Sequence, residues 1–76
     1  MGNDEKSETS LTVVVNGTPQ PITPGTSLLS MLNQMGIPLE GTAVELSGKI
    51  IPRQKYPETI LEQGQHMEIV RMVGGG

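Results

Sequence analysis

The residues best placed to do chemistry are the last four of the 76, Val73-Gly74-Gly75-Gly76. Three glycines offer no side chain to recognise and no apolar area to bury, and without a Cβ they cost the most backbone entropy to order. Such an ending adds nothing to the stability of a fold. It does provide a thin, extensible strand whose carboxylate can enter a channel too narrow for any other residue. Four extended residues reach roughly 13 Å at about 3.3 Å each. On this reading the Gly76 carboxylate is the reacting group, Val73, Gly74 and Gly75 carry it into a partner's active site, and the rest of the chain is a handle. The competing reading is an inert, frayed terminus or an expression scar.

Composition narrows what the handle can be. The length fits one small domain near the lower limit for folding alone. Apolar residues make up 34% of the chain and Tyr56 is the single aromatic, so the core is expected to be aliphatic. There is no cysteine, hence no disulfide, thiolate metal site or thiol nucleophile, and one histidine cannot build a metal site. No intrinsic catalytic constellation is present, and no cofactor or metal is expected to bind. The net charge of −3 is uneven. Residues 1–10 hold Asp4, Glu5 and Glu8 against Lys6, and the remainder holds five acids against four bases. Without a basic patch or stacking aromatics, nucleic-acid binding is not expected. No apolar run reaches the roughly 18 residues of a membrane span, and no signal-peptide core follows the N-terminus. Lys6 stands where N-myristoylation wants Ser or Thr. These features suit a cytoplasmic chain, monomeric on its own.

The elements follow in order. Residues 1–10 are polar, without periodicity, and read as a disordered leader. Leu11–Asn16 is a β-branched run, and Asn16-Gly17 is a strong hairpin signal. Thr18–Thr23 returns, with Pro19 and Pro21 marking an edge strand. Ser27 reads as a helix N-cap, followed by Leu28, Met31, Leu32 and Met35 at helical spacing over about nine residues. Gly36 is expected as the left-handed C′ residue, with Pro38 preventing resumption. Ala43–Leu46 alternates as a strand, Ser47-Gly48 turns, and Lys49–Pro52 returns, with Val44, Leu46 and Ile51 inward. Arg53–Glu62 is a loop with one possible helical turn, from which Ile60 and Leu61 close the core edge. After a turn at Gly64, His66–Met72 is the last strand, with Met67 and Ile69 inward.

The order is β-β-α-β-β-β. Two hairpins separated by one helix suit an α+β fold with a mixed five-stranded sheet and the helix across one face. The first and last strands would be parallel at the centre. This is the ubiquitin-like β-grasp arrangement, here spanning 11–72 between the leader and a flexible tail at 73–76.

Body and tail together resemble a known family. Ala43-Val-Glu-Leu-Ser-Gly-Lys-Ile-Ile-Pro-Arg53, then Leu61-Glu-Gln-Gly-Gln-His-Met-Glu-Ile-Val70, then the terminal glycines, are similar to the sulfur carrier proteins of thiamine biosynthesis, the ThiS family. The family pattern is a strand, a tight Asn-Gly-like turn, an apolar-Val-Pro-Arg return, a Gly-Asp-like turn, a last strand and a terminal Gly-Gly. Ser47 replaces the usual Asn of the first turn and Gln65 the usual Asp of the second. Tyr56 lies where relatives often have Trp.

The resemblance implies a protein co-substrate rather than an enzyme. A partner related to ubiquitin-activating enzymes would use ATP and Mg to adenylate Gly76. A persulfide sulfur donor would displace AMP to leave a thiocarboxylate, and thiazole synthase would take the sulfur into the thiazole of thiamine. Val14, Val70 and Met72, expected on the sheet face opposite the helix, would form an apolar docking patch, with Arg71 available to a partner's acid. Each could equally be an ordinary surface residue. For Arg53, hydrogen bonds holding the following loop are expected ahead of a partner contact. His66 is read as a surface residue, and Glu58 with Glu62 as a solvated pair. The same carboxylate chemistry would also serve a carrier for molybdopterin, cysteine or methionine synthesis. A ubiquitin-like modifier and a β-grasp interaction module with an inert tail are the readings from other classes.

Overall fold

The computed structural model describes residues 10–72. The expected tail residues Val73, Gly74, Gly75 and Gly76, and all but the last residue of the leader, lie outside them.

The chain starts with β1 (Leu11–Val15) and β2 (Thr18–Ile22), antiparallel, with Val15 opposite Thr18 across the turn. Asn16 and Gly17 both have positive φ, 49° and 85°. This is the type I′ geometry whose twist matches that of the flanking strands, and it explains the Asn-Gly pair. With Val15 and Thr18 as the closing pair, Pro19 and Pro21 fall opposite Val14 and Thr12 at positions whose nitrogens face away from β1. Two missing N–H groups therefore cost the ladder nothing, and β2 is an edge of the sheet as expected.

Helix α1 (Leu28–Gln34) is seven residues long. The Ser27 hydroxyl accepts a hydrogen bond from the Ser30 N–H at 3.1 Å, the N-cap read from the sequence. At the other end the Ile37 N–H donates to the Leu32 carbonyl at 2.9 Å and the Gly36 N–H to the Asn33 carbonyl at 3.1 Å. Gly36, at φ 72°, closes this Schellman turn and folds Ile37 back onto the core. Ile37 takes the place expected of Met35, which caps the helix and is exposed.

Strands β3 (Thr42–Leu46) and β4 (Lys49–Ile50) form the second hairpin around Ser47-Gly48, again with both φ values positive. A 3₁₀-helix (Arg53–Glu58) crosses next, and β5 (His66–Arg71) enters the middle of the sheet. The strand order is β2-β1-β5-β3-β4, with β5 parallel to β1 and antiparallel to β3. The topology is the ubiquitin-like β-grasp.

Alternation puts Val13, Val15, Val44, Leu46 and Met67 under the helix, against Leu28, Met31 and Leu32. Ile51 and Ile69 are half-buried at the margin of this core. The core is not wholly aliphatic. Tyr56 is only 2% exposed, because one turn of the 3₁₀-helix directs its ring inward. Leu61 and Ile60 also part company. The Leu28 N–H donates to the Thr59 carbonyl and the Leu61 N–H to the Thr26 carbonyl, so residues 59–61 run as a short strand past Ser27. Neighbours in a strand point to opposite sides; Leu61 is buried and Ile60 is half exposed.

Candidate functional site

The site is where β5 leaves the sheet. In the β3–β5 ladder Glu45 faces Glu68 and Ala43 faces Val70, and the Met72 N–H continues the series with a 2.7 Å bond to the Gly41 carbonyl. Gly41 belongs to no strand. Its φ of 72° ends the loop that brings the chain from α1 into β3.

That loop is itself held. The Thr42 hydroxyl donates to the Pro38 carbonyl at 2.6 Å and the Thr42 N–H to the Leu39 carbonyl at 3.2 Å. Arg53 Nη2 donates to the same Leu39 carbonyl at 3.1 Å. Arg53 therefore bonds a loop, but the one before β3 and not the one that follows Arg53. Pro52, fixed at φ −64°, turns the chain so that the guanidinium reaches back.

On the other side of β5 the sheet runs out early. The N–H groups of Val14 and Asn16 donate to the Gln65 and Met67 carbonyls at 2.8 Å each, and there β1 turns away. The Asn16 amide takes over: its Oδ1 accepts from the Ile69 N–H at 2.7 Å and its Nδ2 donates to the Ile69 carbonyl at 3.3 Å. One side chain thus imitates the next residue of a strand. The sequence marks Asn16 as a turn residue; that the same amide also finishes the central strand pair carries no separate sequence signal.

The register sorts the candidate docking residues. Val14, Val70 and Met72 share the face opposite the helix, as expected. Val70 is 52% and Met72 58% exposed, while Val14 is half-buried beside His66. Val14 stands four residues along from Val70, about 13 Å at strand rise, with Glu68 between. Arg71 lies opposite Thr42 and so projects from the helix side, beyond the helix, away from Val70 and Met72. Val14 thus stands apart from Val70 and Met72 on their shared face, and Arg71 lies on the other. Two aliphatic neighbours complete the open face near the exit: Ala43 beside Val70, and Ile50, 68% exposed, opposite Glu45. Ile50 follows from the alternation that puts Ile51 inward.

His66 is exposed. Glu58 ends the 3₁₀-helix, so it shares no helical face with Glu62; its partner is Lys55 at 3.8 Å, the one ion pair among the described residues. Gln65 Oε1 accepts from the Glu62 N–H at 2.8 Å, supplying the acceptor that an Asp would give that turn. The described residues enclose no pocket and contain no group of three or more His, Cys, Asp or Glu that could hold a metal ion. No helix among them is long and apolar enough to cross a membrane.

Comparison with known proteins agrees with this architecture. The sulfur carrier protein ThiS of Thermus thermophilus is 34% identical over 64 residues, covering 84% of this chain and 98% of that one. A thiazole synthase of Paramagnetospirillum magneticum is 28% identical over 64 residues, and the chain spans only 20% of its length. The crystal structure of a thiamine biosynthesis protein (ThiS) from Geobacter metallireducens matches with a TM-score of 0.77 at 25% identity, over 87% of this chain and 100% of that one. The family model described as the ThiS family matches residues 13–76, through the sheet and on through the terminal glycines, and the chain belongs to that family.

Proposed function

We propose that this chain is a sulfur carrier for thiamine biosynthesis, a protein co-substrate whose Gly76 carboxylate is the acyl group. The observation that carries the reading is the extent of the family match, which continues past the folded body to the last glycine. A carboxylate is a poor acyl donor because its leaving group would be oxide. Attack of the carboxylate on the α-phosphate of ATP releases pyrophosphate and gives a mixed anhydride with AMP. Sulfur can then displace AMP. Attack by sulfide gives the thiocarboxylate directly. Attack by a protein persulfide gives an acyl disulfide, whose S–S bond a thiol opens by exchange. The ATP and Mg belong to the activating enzyme, an adenylyltransferase of the ubiquitin-activating kind.

The carrier's share is to dock and to present an unhindered carbonyl. Val70, Met72, Ala43 and Ile50 offer aliphatic area next to the exit, and Val14 a second contact further along the sheet. Thiazole synthase is the acceptor this reading favours, because proteins of that name contain a stretch similar to this chain. The thiocarboxylate sulfur would pass to the nascent thiazole, leaving the carboxylate to be charged again. On this reading the carrier works in the cytoplasm, beside its ATP-dependent partner.

The test is intact-protein mass spectrometry after incubation with the activating enzyme of the same organism, Mg-ATP and sulfide. Exchange of one oxygen for sulfur at Gly76, followed by its loss when thiazole synthase and its substrates are added, is the expected result. An unchanged mass, with the enzyme active on another carrier, would refute the reading. Conjugates of higher mass that vanish on deletion of Gly76 would point to a modifier instead.

A further inference from the structure

We infer that Arg53 is a positioning residue for the tail: it fixes the loop from which the last backbone rung of β5 hangs, and so sets the direction in which the residues after Met72 leave the sheet. The inference rests on the carrier reading, in which that direction matters. Three of the four residues after Met72 are glycines, with no side chains for a partner to steer by, so the starting direction of residues 73–76 is inherited from Met72, the residue before them.

The restraint on that residue is thin. Up to Val70, β5 is laddered to β3, and Asn16 covers Ile69 from the other side. Past that point β1 has ended, and Arg71 lies at a position of the β3 ladder whose N–H and carbonyl face away from β3. The 2.7 Å bond from the Met72 N–H to the Gly41 carbonyl is the last rung. Its acceptor is a loop residue at positive φ, close enough that a Cβ on Gly41 would touch the Met72 carbonyl oxygen at 3.5 Å. The rung is therefore only as firm as the loop 38–41.

Thr42 holds that loop from the start of β3, and Arg53 firms it from a distant part of the chain. Its guanidinium meets the Leu39 carbonyl, two residues before Gly41. It takes no part in the ion pair of Lys55 with Glu58. A charged donor on a carbonyl makes a stronger bond than a neutral one. Pro52-Arg53 is thereby tied to Met72, through Leu39 and Gly41.

The test compares Arg53→Met, which keeps the stem and removes the donors, with Arg53→Lys, which keeps a charge and a donor. With the full chain and its activating enzyme, Arg53→Met should raise KM for the carrier roughly threefold to tenfold with kcat little changed, the split expected when ordering before the chemical step is lost. Arg53→Lys should recover part of that loss. In amide hydrogen exchange, Met72 should exchange faster by a similar factor in Arg53→Met, while Val44 in the core stays as in the wild type. A wild-type KM together with a protected Met72 amide would overturn the inference. So would equal acceleration at Val44 and Met72, which would mean a general loss of stability. A wild-type chain that the enzyme does not modify at all would overturn the carrier reading and this inference with it.

Discussion

The two faces of the sheet are made from the same strands, yet they differ in what they are built to do. On the helix side Val13, Val44, Met67 and their neighbours are almost wholly enclosed. On the open side the alternate residues of the same strands bring Val14, Glu45, Glu68 and Val70 to solvent. A step of one residue along a strand crosses from one to the other. The helix side is packed as a core must be. The open side leaves aliphatic side chains exposed near the exit and sets two carboxylates opposite each other, an arrangement that costs stability. A chain with so little core to spare carries such a surface more readily if a partner covers it. The difference teaches that stability and recognition should separate cleanly under mutation.

The largest effect should come from the helix side. Leu32→Ala empties the centre of the core, where Leu32 has no exposure. The expected loss is about 2–5 kcal/mol, read by denaturant or thermal unfolding; a loss under about 1 kcal/mol would mean that the helix is not docked as described. Asn16 stands at the seam of the two faces and should come next. Asn16→Ala removes both bonds to Ile69 and puts a Cβ residue without a compensating side chain at φ 49°, for about 2 kcal/mol. Asn16→Gly tolerates the φ and loses the two bonds only, so it should cost about half as much. Equal costs for the two variants would show that the left-handed φ adds nothing and that the bonds to Ile69 account for the whole loss, whereas a negligible cost for Asn16→Gly would show that the turn matters and the bonds to β5 do not.

On the open side the order of effects reverses. Val70→Asp should cost no more than about 1 kcal/mol, from lower strand propensity and a like charge near Glu68, since Val70 is half exposed and leaves no cavity. It should nonetheless lower kcat/KM with the activating enzyme tenfold or more, by placing a charge in the proposed docking face. Wild-type turnover of Val70→Asp would remove this part of the sheet from the interface. Gly75→Val, outside the described residues, should likewise spare the melting temperature while blocking adenylation.

Much of the fold was legible because local signals agreed. Asn16-Gly17, Ser27 and Gly36 each prescribe a backbone shape, and alternation in Leu11–Val15 and Ala43–Leu46 prescribes a face. What was not legible depends on where elements cross. Whether Met35 or Ile37 fills the end of the core is decided by where the helix stops. Whether Ile60 or Leu61 points inward is decided by pairing with residues 26–28, more than thirty positions earlier. Arg71, read apart from Val70 and Met72 as a cation near the exit, falls by alternation on the opposite side of the sheet from them. A lone aromatic such as Tyr56 carries no periodic signal of burial, although a 3₁₀ turn can bury a single ring as well as a strand can. Ser47-Gly48 signals a turn despite the missing Asn, because Gly48 carries the more demanding φ of 86°.

The smallest effect is the most direct probe of the open face. Glu45 and Glu68 lie opposite each other in adjacent strands, and the cations of β4 and β5 do not help them, since the register puts Lys49 and Arg71 on the helix side. Glu68→Lys turns a like-charge pair into an opposite one without touching the core. It should raise stability by about 0.2–1 kcal/mol, with the gain fading in high salt. A gain of that size would mean that the open face is held below its own stability optimum, as a surface shaped for another molecule would be. A loss would mean that Glu68 is fixed by interactions within the chain, and the division of labour between the two faces would fail at the pair that states it most plainly.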